Sequence, residues 1–441
     1  MLSRPQPIGV LPLPAGWLVL PSPELVPEAG EIVRRLLSGH LPEAWPDALE
    51  AFARAAEGEV EAAAALIDPT GGGIAAYNHF VLTGEESSLD AARAAVSEAL
   101  SAGKPQDGAD AASGAADLAA LVEVAAYSLG RPAQLPDDAD LAELTGEIAA
   151  HVLSARAAAA LEHGDPQAAL DALVAAEAAA RPVSAVLGAL LLGQQASLLQ
   201  EVNGADADVV EAYREAVDAL RGLDAVEPAM AELALGQATA YQELASRSEN
   251  AQHLLVEAVK MYHLALRLLR KDSQPQRYAF AHSNLALAYL AMPMGDARDK
   301  LRRGVAVQSL REALAYYTRE QHPAEWSMVT LNLANALQHL PTTHPVENLV
   351  EAVGMYEELL AVRTPEADPL GHARVLANQG TALAHLGIHD QAGAKLDAAR
   401  EIFTRFGDHG SVATVDAALA DITAVAGGPV GEDATAGTGD R

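Results

Sequence analysis

The sequence predicts an all-α protein, an α-solenoid of antiparallel helix pairs stacked in tandem behind an N-terminal helical region. One phrase recurs as Ser283-Asn284-Leu-Ala-Leu-Ala-Tyr289, Leu331-Asn332-Leu-Ala-Asn-Ala-Leu337 and Asn378-Gln-Gly-Thr-Ala-Leu383, with the asparagines 48 and 46 residues apart. Prolines keep the same period: Pro182, Pro228, Pro275, Pro323 and Pro369 fall at steps of 46, 47, 48 and 46. Self-similarity at a fixed period of this size marks a repeat array. Half of the residues are hydrophobic but only 4% are aromatic, and alanine is everywhere. Small apolar side chains at that density favour close helix–helix packing over a sheet.

The length of the repeat follows from helix geometry. In the Asn332 unit a first helix is expected over 324–340. Its apolar residues Val329, Leu333, Ala336, Leu337 and Leu340 are spaced by four, three, one and three, along one helical face. A second helix is expected over 346–362. Two helices of five turns with short connections need about 45 residues. The second helices match as well: Val210-Glu-Ala212, Val256-Glu-Ala-Val-Lys-Met-Tyr262 and Val350-Glu-Ala-Val-Gly-Met-Tyr356, the last two lying 94 residues apart.

Taken from the start, residues 1–30 read as an extended lead-in punctuated by prolines, which fix φ and discourage helix before them. Within it Gly16-Trp-Leu-Val-Leu20 would pack over the first helices and shield an open end. The prolines interrupt the apolar stretch too often for a signal peptide. Residues 31–140 form an N-terminal helical region, open to reading as diverged repeats or as a separate domain. Helices are expected over 27–39, 46–56, 60–67, 74–82, 88–102 and 116–129, with 103–114 as a loop or linker and a soft boundary at 130–140. The regular solenoid is expected over 141–423, starting with a pair around the turn Glu162-His-Gly-Asp165. Residues 424–441 lack apolar periodicity and read as a disordered tail.

Composition excludes several functions. There are no cysteines, so disulfides, thiolate metal sites and cysteine nucleophiles are ruled out. A formal net charge of −31 argues against general nucleic-acid binding, since a polyanion would be repelled. No apolar run reaches the roughly 20 residues of a membrane helix. The expected location is the cytoplasm, with no membrane partner.

The residues Asn332-Leu-Ala-Asn-Ala336 resemble the tetratricopeptide repeat (TPR) family. So does the last unit, where Asn378, Gly380 and Ala382 precede Leu386-Gly387 and Ala392, with Ala399 seven residues further on. The resemblance covers roughly 141–422 and is strongest over 228–406. Units of 46–48 residues exceed the family's usual 34 and match its longer-helix variants. The unit after Asn284 also carries an insert, Pro293–Gly304. The resemblance implies a concave groove, lined from the first helices, that binds peptides or partner proteins. It implies no catalysis.

By that register Asn284, Asn332, Asn335, His339, Arg374, Asn378 and His385 would line the groove, where asparagine amides can pair with the backbone of an extended peptide. The competing reading has some of them capping turns or bonding between neighbouring helices. A second candidate is a basic window. Residues 267–320 hold ten basic and five acidic side chains inside a strongly acidic chain. Arg298, Lys300, Arg302 and Arg303 form its densest run, a candidate docking patch for an acidic segment or phosphate. Against this stands a cationic face satisfied by the protein's own acids.

Other motifs are weak. His385 and His389 straddle a helix end and lack a third ligand, so no metal or cofactor is expected. Thr70-Gly-Gly-Gly73 lacks the ending of a phosphate-binding loop and reads as a turn. No Gly-x-Ser-x-Gly or His-Glu-x-x-His occurs, and no catalytic residue is assigned. The leading expectation is a non-catalytic scaffold or adaptor that holds a protein or peptide segment in its groove, with self-association left open. The alternatives are a ligand-responsive regulatory module and an enzyme with its site in 31–140.

Overall fold

The computed structural model describes residues 17–21, 24–101, 109–223, 226–249, 251–293, 298–340 and 344–426. The expected tail beyond Ala426 and most of the lead-in lie outside them. Among the described residues there is no β-strand, and Val19 makes an isolated bridge. No described helix is long and apolar enough to cross a membrane. The chain divides into two compact units, residues 1–269 and 270–441.

The first unit opens with α1 (Ala29–Leu37), a 3-10 turn (Asp47–Leu49) running into α2 (Glu50–Ala56), α3 (Val60–Ala65), α4 (Gly73–Thr83), α5 (Glu86–Ser101) and α6 (Ala109–Ser128). It continues with α7 (Asp138–Glu143), α8 (Gly146–Glu162), α9 (Pro166–Ala180), α10 (Ala185–Asn203), α11 (Ala207–Ala219), α12 (Glu227–Ser246) and α13 (Ala251–Leu268). The second unit holds α14 (Pro275–Ala291), α15 (Asp299–Leu314), α16 (Pro323–Gln338), α17 (Pro345–Leu360), α18 (Pro369–His385), α19 (His389–Arg405) and α20 (His409–Ala426). Helices pack chiefly on their neighbours in sequence across short turns, so each unit is an all-α stack of the solenoid kind.

Local chemistry starts and stops these helices. Pro228, Pro275, Pro323 and Pro369 occupy the first turn of α12, α14, α16 and α18, where a missing N–H costs nothing. Pro182 departs from that register. It lies in the turn before α10, whose cap is Ser184, accepting from the Leu187 N–H at 3.2 Å. Asp165, Asp206 and Asp368 accept backbone N–H groups at the starts of α9, α11 and α18. Gly164 and Gly387, with φ of 75° and 78°, supply the left-handed turns between α8 and α9 and between α18 and α19.

Several apolar clusters hold the first unit. One joins Ile32, Leu36 and Phe52 of α1 and α2 to Val209, Tyr213 and Leu233 of α11 and α12. The N-terminal helices therefore pack on elements far along the sequence rather than simply opening a linear stack. A second cluster gathers Tyr77, Phe80, Leu89, Leu121 and Ile148 from α4 to α8, and a third Leu173, Leu187 and Leu191 from α9 and α10.

In the second unit Leu310, Val329, Leu333, Leu337, Tyr356 and Val375 form the main cluster, with Leu376, Leu396, Phe403 and Val415 beyond it. Small residues set the closest approaches. A Cβ on Gly380 would meet Leu396 Cγ at 2.7 Å and the Ala392 carbonyl oxygen at 3.1 Å.

Two expectations are corrected. The stretch 103–114 is not wholly a loop, because α6 begins at Ala109. Its alanines favour helix more than its Ser and Gly oppose it; 102–108 lie outside the described residues. Finally, α20 runs to Ala426, past the expected end of the array at 423.

Candidate functional site

The second unit places the expected groove residues on the first helices of three successive pairs. Asn284 lies on α14, Asn332 and Asn335 on α16, and Arg374, Asn378 and His385 on α18, while His339 caps α16. Contacts from α14 to α16 and from α16 to α18 set these helices side by side.

The amides differ in their engagement. Asn284 donates Nδ2 to the Phe280 carbonyl of its own helix at 3.0 Å. Asn335 Oδ1 accepts from Tyr356 Oη at 2.7 Å and from Asn378 Nδ2 at 2.9 Å. Tyr356 Oη also lies 3.2 Å from Gln338 Oε1. The Tyr356 side chain is fully buried, and desolvation pushes its phenol pKa up. The same clasp recurs in the first unit, where Tyr262 Oη donates to Gln242 Oε1 at 3.0 Å. Asn332 is half-buried, and its amide makes no side-chain hydrogen bond among the described residues.

The charged members fall in two places. His339 and His385 sit at the C-terminal ends of α16 and α18 and are exposed. Desolvation of the His339 ring, followed by the like charges of Arg303 and His385, holds its pKa below the ordinary histidine value. Arg303 and the two histidines thus share one neighbourhood, in which the neutral imidazole of His339 is favoured. Arg374 is eleven residues before His385, about 16 Å along the helix. It adds its field to Asp408, whose pKa is lowered first by hydrogen bonds from Ser411 and then by Arg374.

The basic window is partly neutralised. Lys271 pairs with Glu312 and Arg311 with Glu351, each at 2.9 Å. Arg302 pairs with Asp299 one helical turn away, both side chains largely buried, and these two join Tyr289, Leu290, Met292 and Arg303 in lining a small recess. Arg298 and Lys300 are exposed. Of the weaker motifs, His385 ends α18 and His389 opens α19. No group of three or more His, Asp or Glu among the described residues is arranged to hold a metal ion. Asp68 accepts from both the N–H and the hydroxyl of Thr70, closing the glycine run as a turn into α4.

Sequence reasoning missed a set in the first unit: Asn78 and Tyr77 on α4, and Glu147 and His151 on α8. All four are buried. The signal was present, since an asparagine inside the apolar run Ile74–Leu82 must find partners once buried.

Neither a protein-family model nor a curated protein matches the chain. Solved structures with similar folds include RapI in its apo form, at 11% identity over 80% of this chain and 98% of that one, with a TM-score of 0.42. A Rap protein complexed with Competence and Sporulation Factor aligns at 13% identity over 79% and 96%, with a TM-score of 0.36. The TPR2AB domain of yeast Sti1 in its pHSP90 complex aligns at 16% over 62% and 98%, with a TM-score of 0.25. At such identities and scores the likenesses assign this chain no partner.

Proposed function

We propose that this chain is a non-catalytic interaction scaffold that holds an extended segment of a partner protein along the face formed by α14, α16 and α18. The observation that carries the reading is the side-by-side placement of these first helices, which presents polar side chains on one helix after another. The Asn332 amide supplies a donor and an acceptor to a passing backbone. The Asn335–Asn378 pair keeps further valences, since each amide offers two N–H donors and two lone pairs. Where the face meets Arg303, it suits an acidic group on the partner, and exposed Arg298 and Lys300 extend that field.

Affinity purification with the whole chain as bait tests the reading. A specific partner should bind more weakly to Asn332→Ala through faster dissociation. Its binding should also weaken with added salt, because an exposed contact is screened over about 8 Å at physiological ionic strength. A protein stabilised by a small metabolite, with no protein partner recovered, would instead be a ligand-responsive module and would refute the scaffold.

A further inference from the structure

Residues 17–21 run as an extended segment through the interior of the first unit. Leu18, Val19 and Leu20 are essentially fully buried in it. Their side chains alternate as a strand's do: Leu18 and Leu20 enter the cluster shared by α1, α2, α11 and α12, and Val19 enters that of α4 to α8. Trp17 packs against the cluster of α8 to α10.

Beyond the isolated bridge at Val19, side chains hold this backbone. Asn78 accepts from the Val19 N–H and donates to the Val19 carbonyl, each at 2.7 Å, so one amide reads both polar groups of one residue. Tyr77 Oη donates to the Trp17 carbonyl at 2.8 Å. This is how a protein grips an extended peptide whose sequence matters little: backbone by polar side chains, alternate residues by apolar pockets.

The site is also imperfectly filled. The Trp17 ring lies on His151, centroids 4.0 Å apart. His151 Nε2 and both Glu147 carboxyl oxygens, one turn apart on α8, are buried with no hydrogen-bond partner among the described residues. Burying unpaired polar groups is unfavourable, and lifting Trp17 would return water to the imidazole. Both ends of the segment, Trp17 and Pro21, are half-buried, so it emerges toward the surface at each side.

We propose that residues 17–21 are an intramolecular occupant of a peptide-binding site in the first unit, and that the site also accepts an extended apolar segment of another protein by displacing them. The segment already held defines the occupant's chemistry: apolar side chains on both faces and a backbone at Val19 whose N–H and carbonyl one amide can grip. This site is separate from the face of α14, α16 and α18, so either can fail without the other.

A chain lacking residues 1–21, checked by circular dichroism, should stay helical and bind a synthetic peptide spanning residues 16–24. The intact chain should bind that peptide at least about tenfold more weakly, because the tethered segment competes at high effective concentration. Asn78→Ala in the shortened chain should weaken binding about tenfold, the loss of two buried hydrogen bonds. A shortened chain that unfolds, or that folds and ignores the peptide, overturns the proposal. Hydrogen exchange in the intact chain gives an independent reading. The Val19 amide should exchange by a local opening, faster than the central amides of α8, and equal rates would make the segment a core strut. Concentration-dependent dimers formed by exchange of this segment would assign the site to a second copy and equally overturn it.

Discussion

Asn378 donates Nδ2 to Asn335 Oδ1 at 2.9 Å, tying the first helices of two successive pairs together through their amides. The same oxygen accepts from Tyr356 of the intervening helix, so three consecutive helices meet at one atom. A residue expected to face a ligand is thereby also part of the packing between repeats.

That junction is measurable. Tyr356→Phe should destabilise the chain by about 0.5–1.5 kcal/mol, the net value of one hydrogen bond. Combined with Asn335→Ala, its effect should be less than additive, because both changes remove the same contact. Additive losses in denaturant titrations would show that hydroxyl and amide do not interact.

Gly380 tests the close approach of α18 and α19. Gly380→Ala should cost about 1–3 kcal/mol, since the new methyl meets Leu396 and the Ala392 carbonyl. Leu333→Ala, which hollows a site 1% exposed, should cost about 2–5 kcal/mol. Unchanged melting temperatures in both would contradict the packing described.

Glu147 and His151 act oppositely with pH. Burial raises the Glu147 carboxyl well above its usual 4.5, so the fold binds a proton the unfolded chain has released, and stability falls as pH rises above about 4.5. Burial lowers His151 from 6.5 to about 4, so stability falls as pH drops through that window. Glu147→Gln removes the first effect. It should melt higher than the parent at pH 7–8, with the advantage vanishing near pH 4; an advantage independent of pH would exclude ionisation as its cause.

Within the basic run, position decides the outcome. Arg302→Glu sets a second carboxylate against Asp299 at a largely buried spot and should lower stability by about 1–3 kcal/mol. Lys300→Glu, on an exposed side chain, should leave the melting curve unchanged. Loss of stability in Lys300→Glu, with none in Arg302→Glu, would reverse the assignment of which charge is structural.

Much of the array was legible because its signals are local. Proline at a fixed period, the glycine turns at Gly164 and Gly387, and the spacing of Val329, Leu333 and Leu337 each act within a few residues. What stayed hidden was non-local. Nothing in the periodicity of α1 says that Ile32 and Leu36 pack with Val209 and Leu233, and Trp17–Leu20, expected to cover the first helices, lies inside the first unit instead. The candidate site shows the same division. The register placed Asn335 and Asn378 on successive first helices, but not their bond to each other. Composition showed the positive window, but not that Asp299 sits against Arg302.

The tyrosine clasp has a mechanical consequence. Tyr262 and Tyr356 occupy equivalent places two repeats apart, and Leu310, between them at steps of 48 and 46, takes the same place in α15 without a hydroxyl. Stretched from its ends, the second unit would not yield evenly. In α16–α17 the hydroxyl bond of Tyr356 must break as the helices separate, whereas α14–α15 presents Leu310 at that place and α18–α19 presents Phe403. A pulling force would therefore meet a different kind of resistance from pair to pair, as it would not in an array of identical repeats.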